Sequence, residues 1–483
     1  MSKKSSPNIL WICTDQQRWD TLGAYGNEWV QTPVADQLAR EGVLFENAYC
    51  QSPVCTPSRA SFLTGRYPRT TRCRANGQDI PDTEVLVTRL LSDAGYVCGL
   101  SGKLHLSACN PSANIGTEKR INDGYDDFYW SHDPLPLWPT NQYIQWLTEK
   151  NIQFEDKPFE GSSYVSSGMP VEHHQTTWCA EKAITFMKEN AKHDHPWCFS
   201  VNIFDPHHPF DPPPEMMSRY LDISKNIPLP NYVAGELDNK PAFQQNDHIR
   251  AYNTEGLYNY ESMKEDDHRL VRAAYWAMCD LIDIQLGRML ATLKEIEQLE
   301  NTIVIFMSDH GEMLGDHGIY LKGPYFYEPA IRVPLIISMP GIIQQNVRSN
   351  ALVELTDVAP TLLEAAGLDP DPGMQGRSLW RILKGFEPVD KHREDIYCEF
   401  YSAMTWHKDP AAEATMLRTA THKLVVVHSL DCGELYDLVK DPNETNNLWD
   451  DPGHLDIKSK MLTLLSHRMA ATVDPLPLCR AKW

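Results

Sequence analysis

The sequence lacks the features of a membrane protein, a nucleic-acid-binding protein and a disulfide-bonded scaffold. No apolar run approaches the ~20 residues that a membrane span needs. Lysine and arginine number 44 against 65 aspartate and glutamate residues, and the net charge of −21 argues against nucleic acid or an anionic membrane as a partner. The 12 cysteines include no C-x-x-C pair and show no regular spacing, which argues against a disulfide framework.

The same absences predict a cytoplasmic protein with reduced thiols. Residues 1–7 are polar, and the apolar run that follows, residues 9–13, is too short for a secretory signal. A leader removed from the natural protein would leave the same pattern. The length of 483 residues is sufficient for one large domain and a smaller one, each with its own core.

Strand and helix patterns alternate along the first part of the chain. Residues 8–15 form an apolar run with a polar end, which is typical of a buried parallel strand. Residues 32–42 predict a helix with Thr32 as N-cap and Pro33 in its first turn, and residues 43–49 predict the next strand. This strand–helix–strand order is typical of an α/β fold with a large, mostly parallel sheet flanked by helices.

The rest of the chain continues this pattern and then changes it. Further buried strands are predicted at 96–102, 197–204, 302–308 and 333–339, and helices at 178–190, 268–299 and 356–367. Residues 210–267 are rich in proline, asparagine and tyrosine and predict long loops over a site, where substrate choice resides. Short strands at 396–401, 416–419 and 423–427 predict a C-terminal α+β subdomain with an antiparallel sheet. We therefore expect domains at 1–385 and 386–483.

The chain's most distinctive stretch is Cys-Thr-Pro-Ser-Arg at residues 55–59. Pro57 suits the first position of a short helix, and Gly65 suits its end. Cys55 is then expected just ahead of the helix, where backbone N–H groups and the helix dipole favour an anion. Arg59 lies one turn further on and can point back to the same place.

This stretch resembles the C-x-P-S-R signature of the type I sulfatases. In that family the cysteine is converted to formylglycine (3-oxoalanine), whose hydrated aldehyde is the nucleophile. The resemblance therefore implies a formylglycine at Cys55, a transient encounter with the formylglycine-generating enzyme and an alkaline phosphatase-like sandwich fold. Further family motifs follow in the expected order between Asn8 and Leu448.

Two segments resemble the metal motifs of the family. Asp15 and Gln16 end the first predicted strand, and Ser-Asp-His-Gly-Glu at 308–312 ends another. The resemblance implies a divalent cation held by Asp15, Gln16, Asp309 and His310, with residue 55 as a further ligand. Oxygen-rich sites suit Ca²⁺, the usual sulfatase metal, whereas the amide and imidazole also allow Mn²⁺ or a similar ion. The Asp-Gln pair is more similar to the phosphonate monoester hydrolase and choline-sulfatase branches.

Three more motifs resemble the family's sulfate-binding and proton-transfer elements. Gly-Lys-Leu-His at 102–105 resembles G-K-x-H, and Pro-His-His-Pro at 206–209 resembles P-H-x-P. The resemblance implies that Lys103 and Lys322 contact the sulfate and that His105 hydrogen-bonds the formylglycine hydroxyl. It also implies that His207 is the general acid and that Arg59 stabilises the formylglycine.

We expect a sulfuric ester hydrolase whose partner is a small-molecule or oligosaccharide sulfate ester, and we favour a carbohydrate because aromatic residues accompany the irregular segments. For any one of Trp130, Trp138, Tyr143 and Trp146, packing is the favoured role.

One alternative keeps the fold and changes the ester to a phosphonate monoester or phosphodiester. Another is a sulfatase-like protein that is never matured and only binds sulfated ligands. Homo-oligomer formation stays open.

Overall fold

The computed structural model describes residues 6–407, 409–479 and 481. The strands are β1 (Asn8–Thr14), β2 (Val43–Tyr49), β3 (Val97–Gly102), β4 (Asp127–Trp130), β5 (Lys157–Pro158), β6 (Ser166–Ser167), β7 (Trp197–Ile203), β8 (Thr302–Ser308), β9 (Arg332–Val333), β10 (Leu335–Ser338), β11 (Val347–Glu354), β12 (Asp395–Tyr401), β13 (Glu413–Thr419), β14 (His422–Val427) and β15 (Cys432–Asp437). The α-helices are α1 (Pro33–Arg40), α2 (Cys55–Thr64), α3 (Pro68–Thr71), α4 (Val87–Asp93), α5 (Gln142–Glu149), α6 (Gln175–Asn190), α7 (Pro214–Ile223), α8 (Ala242–Ile249), α9 (Glu265–Glu295), α10 (Glu328–Ile331), α11 (Val358–Ala365), α12 (Trp380–Leu383) and α13 (Leu455–Ala471).

A mixed, mostly parallel sheet forms the centre of the molecule. Its strands run in the order β11-β2-β10-β8-β1-β7-β3-β4, and β9 pairs with β2 beside this path. The neighbours β8, β1, β7, β3 and β4 are all parallel, whereas β10 is antiparallel to both β8 and β2. The predicted α/β class is thereby confirmed.

Both faces of the sheet are covered, so its central strands are almost wholly apolar. In β1, Leu10 and Ile12 pack into one core with α1, α6 and α9. Ile9 and Trp11 point to the opposite core, which is shared with α2, α4 and α11. Because successive side chains in a strand face opposite sides, the uninterrupted apolar run becomes part of two separate cores.

A second sheet lies in the C-terminal part of the chain, as the sequence predicts. Strands β12, β13, β14 and β15 pair antiparallel in that order. Helix α13, which no sequence pattern indicated, packs on this sheet through Met461 and Leu465. The strands at 396–401, 416–419 and 423–427 are each found, although the second begins earlier, at Glu413. The domain boundary near residue 385 stays a prediction.

The prediction of long loops over residues 210–267 is wrong in part. Helix α7 begins at Pro214, directly after Pro212 and Pro213, and α8 begins after Pro241. Proline suits the first turn of a helix because its missing N–H has no acceptor there anyway. Prolines of this segment thus precede or begin helices as well as lie in loops.

The starts of helices α2 and α11 depart from the sequence predictions. Helix α2 begins at Cys55, two residues before the predicted start at Pro57. Thr356 does not cap α11, because residues 355–357 form a separate 3-10 turn that precedes the helix. Such differences of one or two residues at helix ends are small, but the first places Cys55 within the helical turn.

The 31-residue helix α9 is the longest of those described, and its charges are not all on a solvated face. Asp283 is buried and accepts hydrogen bonds from the backbone N–H groups of Val34 and Ala35, at 3.1 and 2.7 Å. The expected cap, Thr32, makes no capping hydrogen bond. A carboxylate from a distant helix therefore satisfies the free N–H groups of α1.

No helix within the described residues has both the length and the apolar character needed to cross a membrane.

A buried arginine connects the central sheet to the C-terminal antiparallel sheet. Arg393 lies between α12 and β12 and pairs bidentately with Asp357, with an Nε–Oδ2 distance of 2.9 Å. It also lies 3.3 Å from Glu354, at the end of β11. All three side chains are at most 2% exposed, so the removal of the guanidinium would leave two carboxylates buried without their main partner.

We expect Arg393→Met to lower the free energy of unfolding by about 3–5 kcal/mol, since uncompensated buried charge is costly. The shift in the urea midpoint measures this effect. The control is Arg381→Met, because the side chain of Arg381 is 57% exposed and pairs with the exposed Glu387. Its loss should change stability by at most about 0.5 kcal/mol. Equal midpoints for the two variants would contradict the structural role of Arg393.

Candidate active site

Two carboxylates meet at the carboxyl edge of the central sheet. β1 and β8 are parallel neighbours in which Thr14 lies opposite Ser308, so the residues that follow, Asp15 and Asp309, lie side by side. The Asp309 N–H donates to the Thr14 carbonyl at 3.1 Å, which fixes this arrangement. Ligands of open α/β sheets bind at this edge, and both carboxylates are fully buried.

Arg59 holds both carboxylates from helix α2. Its Nε donates to Asp309 Oδ2 at 2.8 Å, its Nη2 lies 3.4 Å from Asp15 Oδ2, and its Nη1 donates to the Lys103 carbonyl at 2.7 Å. Although burial by itself disfavours the charge, the neighbouring Asp309 raises the pKa of Arg59. The predicted position of Arg59, one turn after Cys55, thus brings a permanent cation into the site.

Cys55 lies between cations and the carboxylate pair. Its Sγ is 2.9 Å from Lys322 Nζ, 3.8 Å from Lys103 Nζ, 3.1 Å from His310 Nε2 and 3.5 Å from Asp15 Oδ1. Burial and Asp15 raise the pKa of the thiol, but the charges of Lys103, Lys322 and His310 outweigh them and lower it. The side chain of residue 55 is therefore held where a negative charge is favoured.

The predicted metal ligands are brought together. Atoms of Asp15, Cys55, Asp309 and His310 that are able to coordinate an ion all lie within 4.8 Å of one another. His310 Nδ1 donates to the Gly311 carbonyl at 2.9 Å, which leaves Nε2 facing the carboxylates. A ligating histidine commonly has its other ring nitrogen fixed in this way. Carboxylate and imidazole donors in this arrangement fit a divalent cation, whose identity the donor set does not decide between Ca²⁺ and Mn²⁺.

Gln16, the remaining predicted metal ligand, is oriented by a residue that sequence reasoning left unassigned. Its Nε2 donates to Glu312, and its Oε1 accepts from Lys322 Nζ at 2.7 Å. Glu312 is fully buried and also accepts from the Leu314 N–H at 2.8 Å. The amide oxygen of Gln16 thus faces the site because its nitrogen is held from behind. The signal in the sequence was present, since Glu312 is the last residue of the quoted Ser-Asp-His-Gly-Glu motif.

His207 and Lys322 form a second pair beside Cys55. His207 Nδ1 donates to the carbonyl of His208 at 2.6 Å, so Nε2 points at Lys322 Nζ, 2.8 Å away. Desolvation of the ring and the charge of Lys322 hold the pKa of His207 well below its usual value. In the protein without substrate, His207 is therefore neutral and accepts a hydrogen bond from Lys322.

Lys103 and His105 follow β3 and enter the site from its other side. The ammonium of Lys103 pairs with Asp15 Oδ2, and this charge is the main reason that the pKa of Asp15 lies well below its usual range despite burial. His105 has a left-handed backbone, with φ of 55°, and lines the same cleft. Within the described residues, His105 makes no hydrogen bond to Cys55. Its role in binding the formylglycine hydroxyl therefore stays a prediction.

A cleft of about 650 Å³ leads from the solvent to Cys55. Its outer wall includes Trp406, which is 43% exposed and packs on Tyr252 with ring centroids 5.1 Å apart. Polar side chains, among them Asn76 and Asp133, line the same cleft. Sequence reasoning missed Trp406 because it lies in the turn between β12 and β13, which has neither periodicity nor a motif.

The aromatic residues that were singled out from the sequence lie away from the cleft. Trp130, Trp138 and Tyr143 are buried, and none of them lines the cleft. Trp146 packs against Tyr143 with ring centroids 6.1 Å apart. Packing, the role favoured from sequence for each of these residues, agrees with their surroundings.

Comparison with known families gives two overlapping matches. The model described as sulfatase matches residues 7–368. The model described as N-sulphoglucosamine sulphohydrolase, C-terminal, matches residues 315–471. Together they extend over both sheets and include Asp15, Cys55, Lys103, His207 and Lys322.

Individual relatives match over nearly the whole chain. An arylsulfatase of Clostridium perfringens is 32% identical over 457 residues, which is 92% of this chain and 90% of the relative. An N-acetylglucosamine-6-O-sulfatase of Bacteroides thetaiotaomicron is 26% identical over 530 residues, with 98% and 88% covered. The structure of the phosphonate monoester hydrolase from Silicibacter pomeroyi superposes with a TM-score of 0.83 at 26% identity and covers 98% of this chain and 97% of its own. The last likeness confirms the expected alkaline phosphatase-like fold.

We expect Glu312→Ala to weaken binding of the divalent cation by about 10- to 100-fold, the usual effect of losing a residue that orients a metal ligand. The free amide of Gln16 would then rotate away from the site. Calorimetric titration of the chelated protein with Ca²⁺ and with Mn²⁺ measures the affinity.

The control for this prediction is Glu434→Ala. Glu434 is equally buried but accepts from Gln244 and Tyr436 rather than from Gln16. Both variants lose a buried acceptor and some stability, but only Glu312→Ala should change the affinity for the metal. A parallel loss of affinity in both variants would refute the orienting role of Glu312.

Proposed function

Since the chain belongs to the sulfatase family, whose members hydrolyse sulfuric esters, we propose that it cleaves a sulfate monoester of a carbohydrate to an alcohol and inorganic sulfate. The proposal includes a formylglycine made from Cys55 and a divalent cation at Asp15, Gln16, Asp309 and His310. The observation that supports it most directly is the position of Cys55 Sγ, 2.9 and 3.8 Å from the ammonium groups of Lys322 and Lys103.

Formylglycine would supply a nucleophilic oxygen that is regenerated in each cycle, and the cation would lower the pKa of that oxygen and polarise the ester. The other side chains of the site bind the sulfate and position the carboxylates. Lys103 and Lys322 flank residue 55 and are placed to hold the non-bridging oxygens of the sulfate. Arg59 holds Asp15 and Asp309 in position through its guanidinium. Because all these groups are fixed before the substrate arrives, little reorganisation is needed in the transition state.

His207 is placed to protonate the leaving oxygen through Nε2. The neutral state of the ring without substrate follows from its desolvation and from the nearby charge of Lys322, which both lower the pKa of His207. A bound sulfate brings negative charge between the two side chains, which offsets the charge of Lys322 and raises the pKa of His207. The ring then carries a proton that it can donate to the departing alkoxide.

The carbohydrate part of the proposal rests on the cleft and on the relatives. Tyr252 and Trp406 present aromatic faces beside polar side chains, a combination that suits the apolar face and the hydroxyls of a pyranose. The N-acetylglucosamine-6-O-sulfatase relative acts on a sulfated sugar by its name. The phosphonate monoester alternative has support from the structural likeness to the Silicibacter pomeroyi enzyme and from Asp15-Gln16.

We expect protein from its native host to carry formylglycine at position 55, seen as a loss of roughly 18 Da in the peptide that contains Cys55. Peptides with Cys98 and Cys198 serve as internal controls, since neither lies in the signature. Cys55→Ala should lower kcat/KM for an aryl sulfate by roughly 10³- to 10⁶-fold, as expected for loss of a nucleophile.

Two outcomes would decide against this proposal. An unmodified Cys55 in native protein, with ligand binding and no turnover, favours a sulfate-binding protein. A turnover of aryl phosphonate that exceeds that of aryl sulfate by orders of magnitude favours the phosphonate monoester hydrolase. Both substrates should be compared on the same matured, metal-loaded sample.

For Trp406→Ala we expect a rise in KM of about 2- to 10-fold for a sugar sulfate, which corresponds to an aromatic contact of about 0.5–1.5 kcal/mol. Trp406→Phe should retain most of the affinity. KM for a sulfate ester with a small alkyl group should not change, because such a group cannot reach the outer wall of the cleft. An equal effect on both substrates would show that Trp406 acts on the sulfate site rather than on the sugar.

A further inference from the structure

We propose that His105, Cys109 and His132 form a second metal site, which takes a thiophilic divalent cation such as Zn²⁺. The three side chains line the cleft, and their candidate ligand atoms all lie within 4.8 Å of one another. None of the three belongs to the site of Asp15, Asp309 and His310. The two sites also differ in chemistry, since one is rich in carboxylates and the other offers two imidazoles and a thiol.

The two imidazoles have unused ring nitrogens. Within the described residues, the buried Nδ1 atoms of His105 and His132 have no hydrogen-bond partner, whereas His310 and His207 direct theirs to carbonyl oxygens. The rings of His105 and His132 lie nearly perpendicular, with centroids 4.5 Å apart and an interplanar angle of 82°. A buried polar atom without a partner is costly, and a cation would satisfy it.

The backbone around the cluster is held firmly. Glu118 is buried and accepts from the N–H groups of His105 and Leu106, at 2.9 and 3.0 Å. The same carboxylate accepts from Trp130 Nε1 at 2.8 Å, so it connects the loop after β3 to the end of β4. His132 follows that strand and packs against Trp138. The two histidines are therefore positioned by fixed elements rather than by free loops.

Zinc commonly binds three imidazole or thiolate ligands and keeps a fourth position open. With Zn–N near 2.0 Å and Zn–S near 2.3 Å, tetrahedral ligands lie about 3.5 Å apart, so ligand atoms that now lie within 4.8 Å of one another must approach by up to about 1.3 Å. Side-chain rotation of Cys109 and His132, which are both partly exposed, can provide this. On binding, the Cys109 thiol releases its proton to solvent, and zinc affinity should therefore rise with pH.

Occupation of this site would inhibit the enzyme. Here the inference rests on the proposed function, in which His105 hydrogen-bonds the nucleophile. A cation that takes the lone pair of His105 fixes the ring within the cluster and places a positive charge and a water in the cleft. Removal of the metal with a chelator frees the ring, so the inhibition should be reversible.

The binding test uses the full-length Cys55→Ala protein saturated with Ca²⁺. The substitution removes the thiol of the carboxylate site and makes the result independent of maturation. Zinc affinity is measured by competition with a chromophoric chelator. Co²⁺ is used as a spectroscopic probe, since a thiolate ligand gives a near-ultraviolet charge-transfer band. We expect the Cys55→Ala protein to show this band. When Cys109→Ser or His132→Gln is added to it, zinc binding should weaken by at least about tenfold.

The matched control is Cys432→Ser, because Cys432 is also partly exposed but lies in β15 of the C-terminal sheet. The control should keep the cobalt band, and Cys109→Ser should lose it. A band that persists in Cys109→Ser, or equal zinc affinities in all three variants, would overturn the site.

A separate experiment tests the inhibition. In the matured enzyme, micromolar Zn²⁺ should lower turnover of an aryl sulfate, and Cys109→Ser should raise the zinc concentration for half-inhibition by at least about tenfold. Zinc that binds at the cluster without inhibiting would overturn the regulatory part alone. Because the binding test needs no activity, failure of the proposed sulfatase function and failure of the metal site give different results.

Discussion

The buried ion pairs of Arg59 are the interactions on which the rest of the site depends. Its guanidinium contacts Asp15, Asp309 and the carbonyl of Lys103, and thereby joins three strand ends of the central sheet. Two carboxylates without exposure are tolerated only when cations compensate them. This arginine and two lysines supply that compensation in a chain whose net charge is −21. Positive charge is thus supplied locally, by a few side chains, where an anionic ester would bind.

The geometry of the sheet explains why residues far apart in sequence meet. Parallel strands place their carboxyl ends at one edge, so the segments after β1, β3, β7 and β8 converge there. Each of these strands is followed, after a few residues at most, by one of the predicted site residues Asp15, Lys103, His207 and Asp309. The strand patterns placed Asp15, Lys103, His207 and Asp309 near strand ends, but only the resemblance to the sulfatases selected them as site residues and assigned their roles.

Predictions failed where a residue's partner was distant in the chain. The charges of α9 were expected in solvent, but Asp283 caps α1 through backbone N–H groups almost 250 positions away. Prolines between 210 and 241 were interpreted as loop signals, although two of them precede or begin helices. In both cases the local pattern was compatible with two structures, and tertiary packing selected one.

The sequence by itself determined the fold class, the central strands and the family, because long apolar runs and a five-residue signature are local features. Only the tertiary structure decided which side chains complete the site. Glu312 orients Gln16 from behind, Trp406 reaches the cleft from the C-terminal sheet, and His132 joins His105 and Cys109. These contacts join segments without periodicity, and their proximity follows from the packing of strands and loops, which no local pattern of residues specifies.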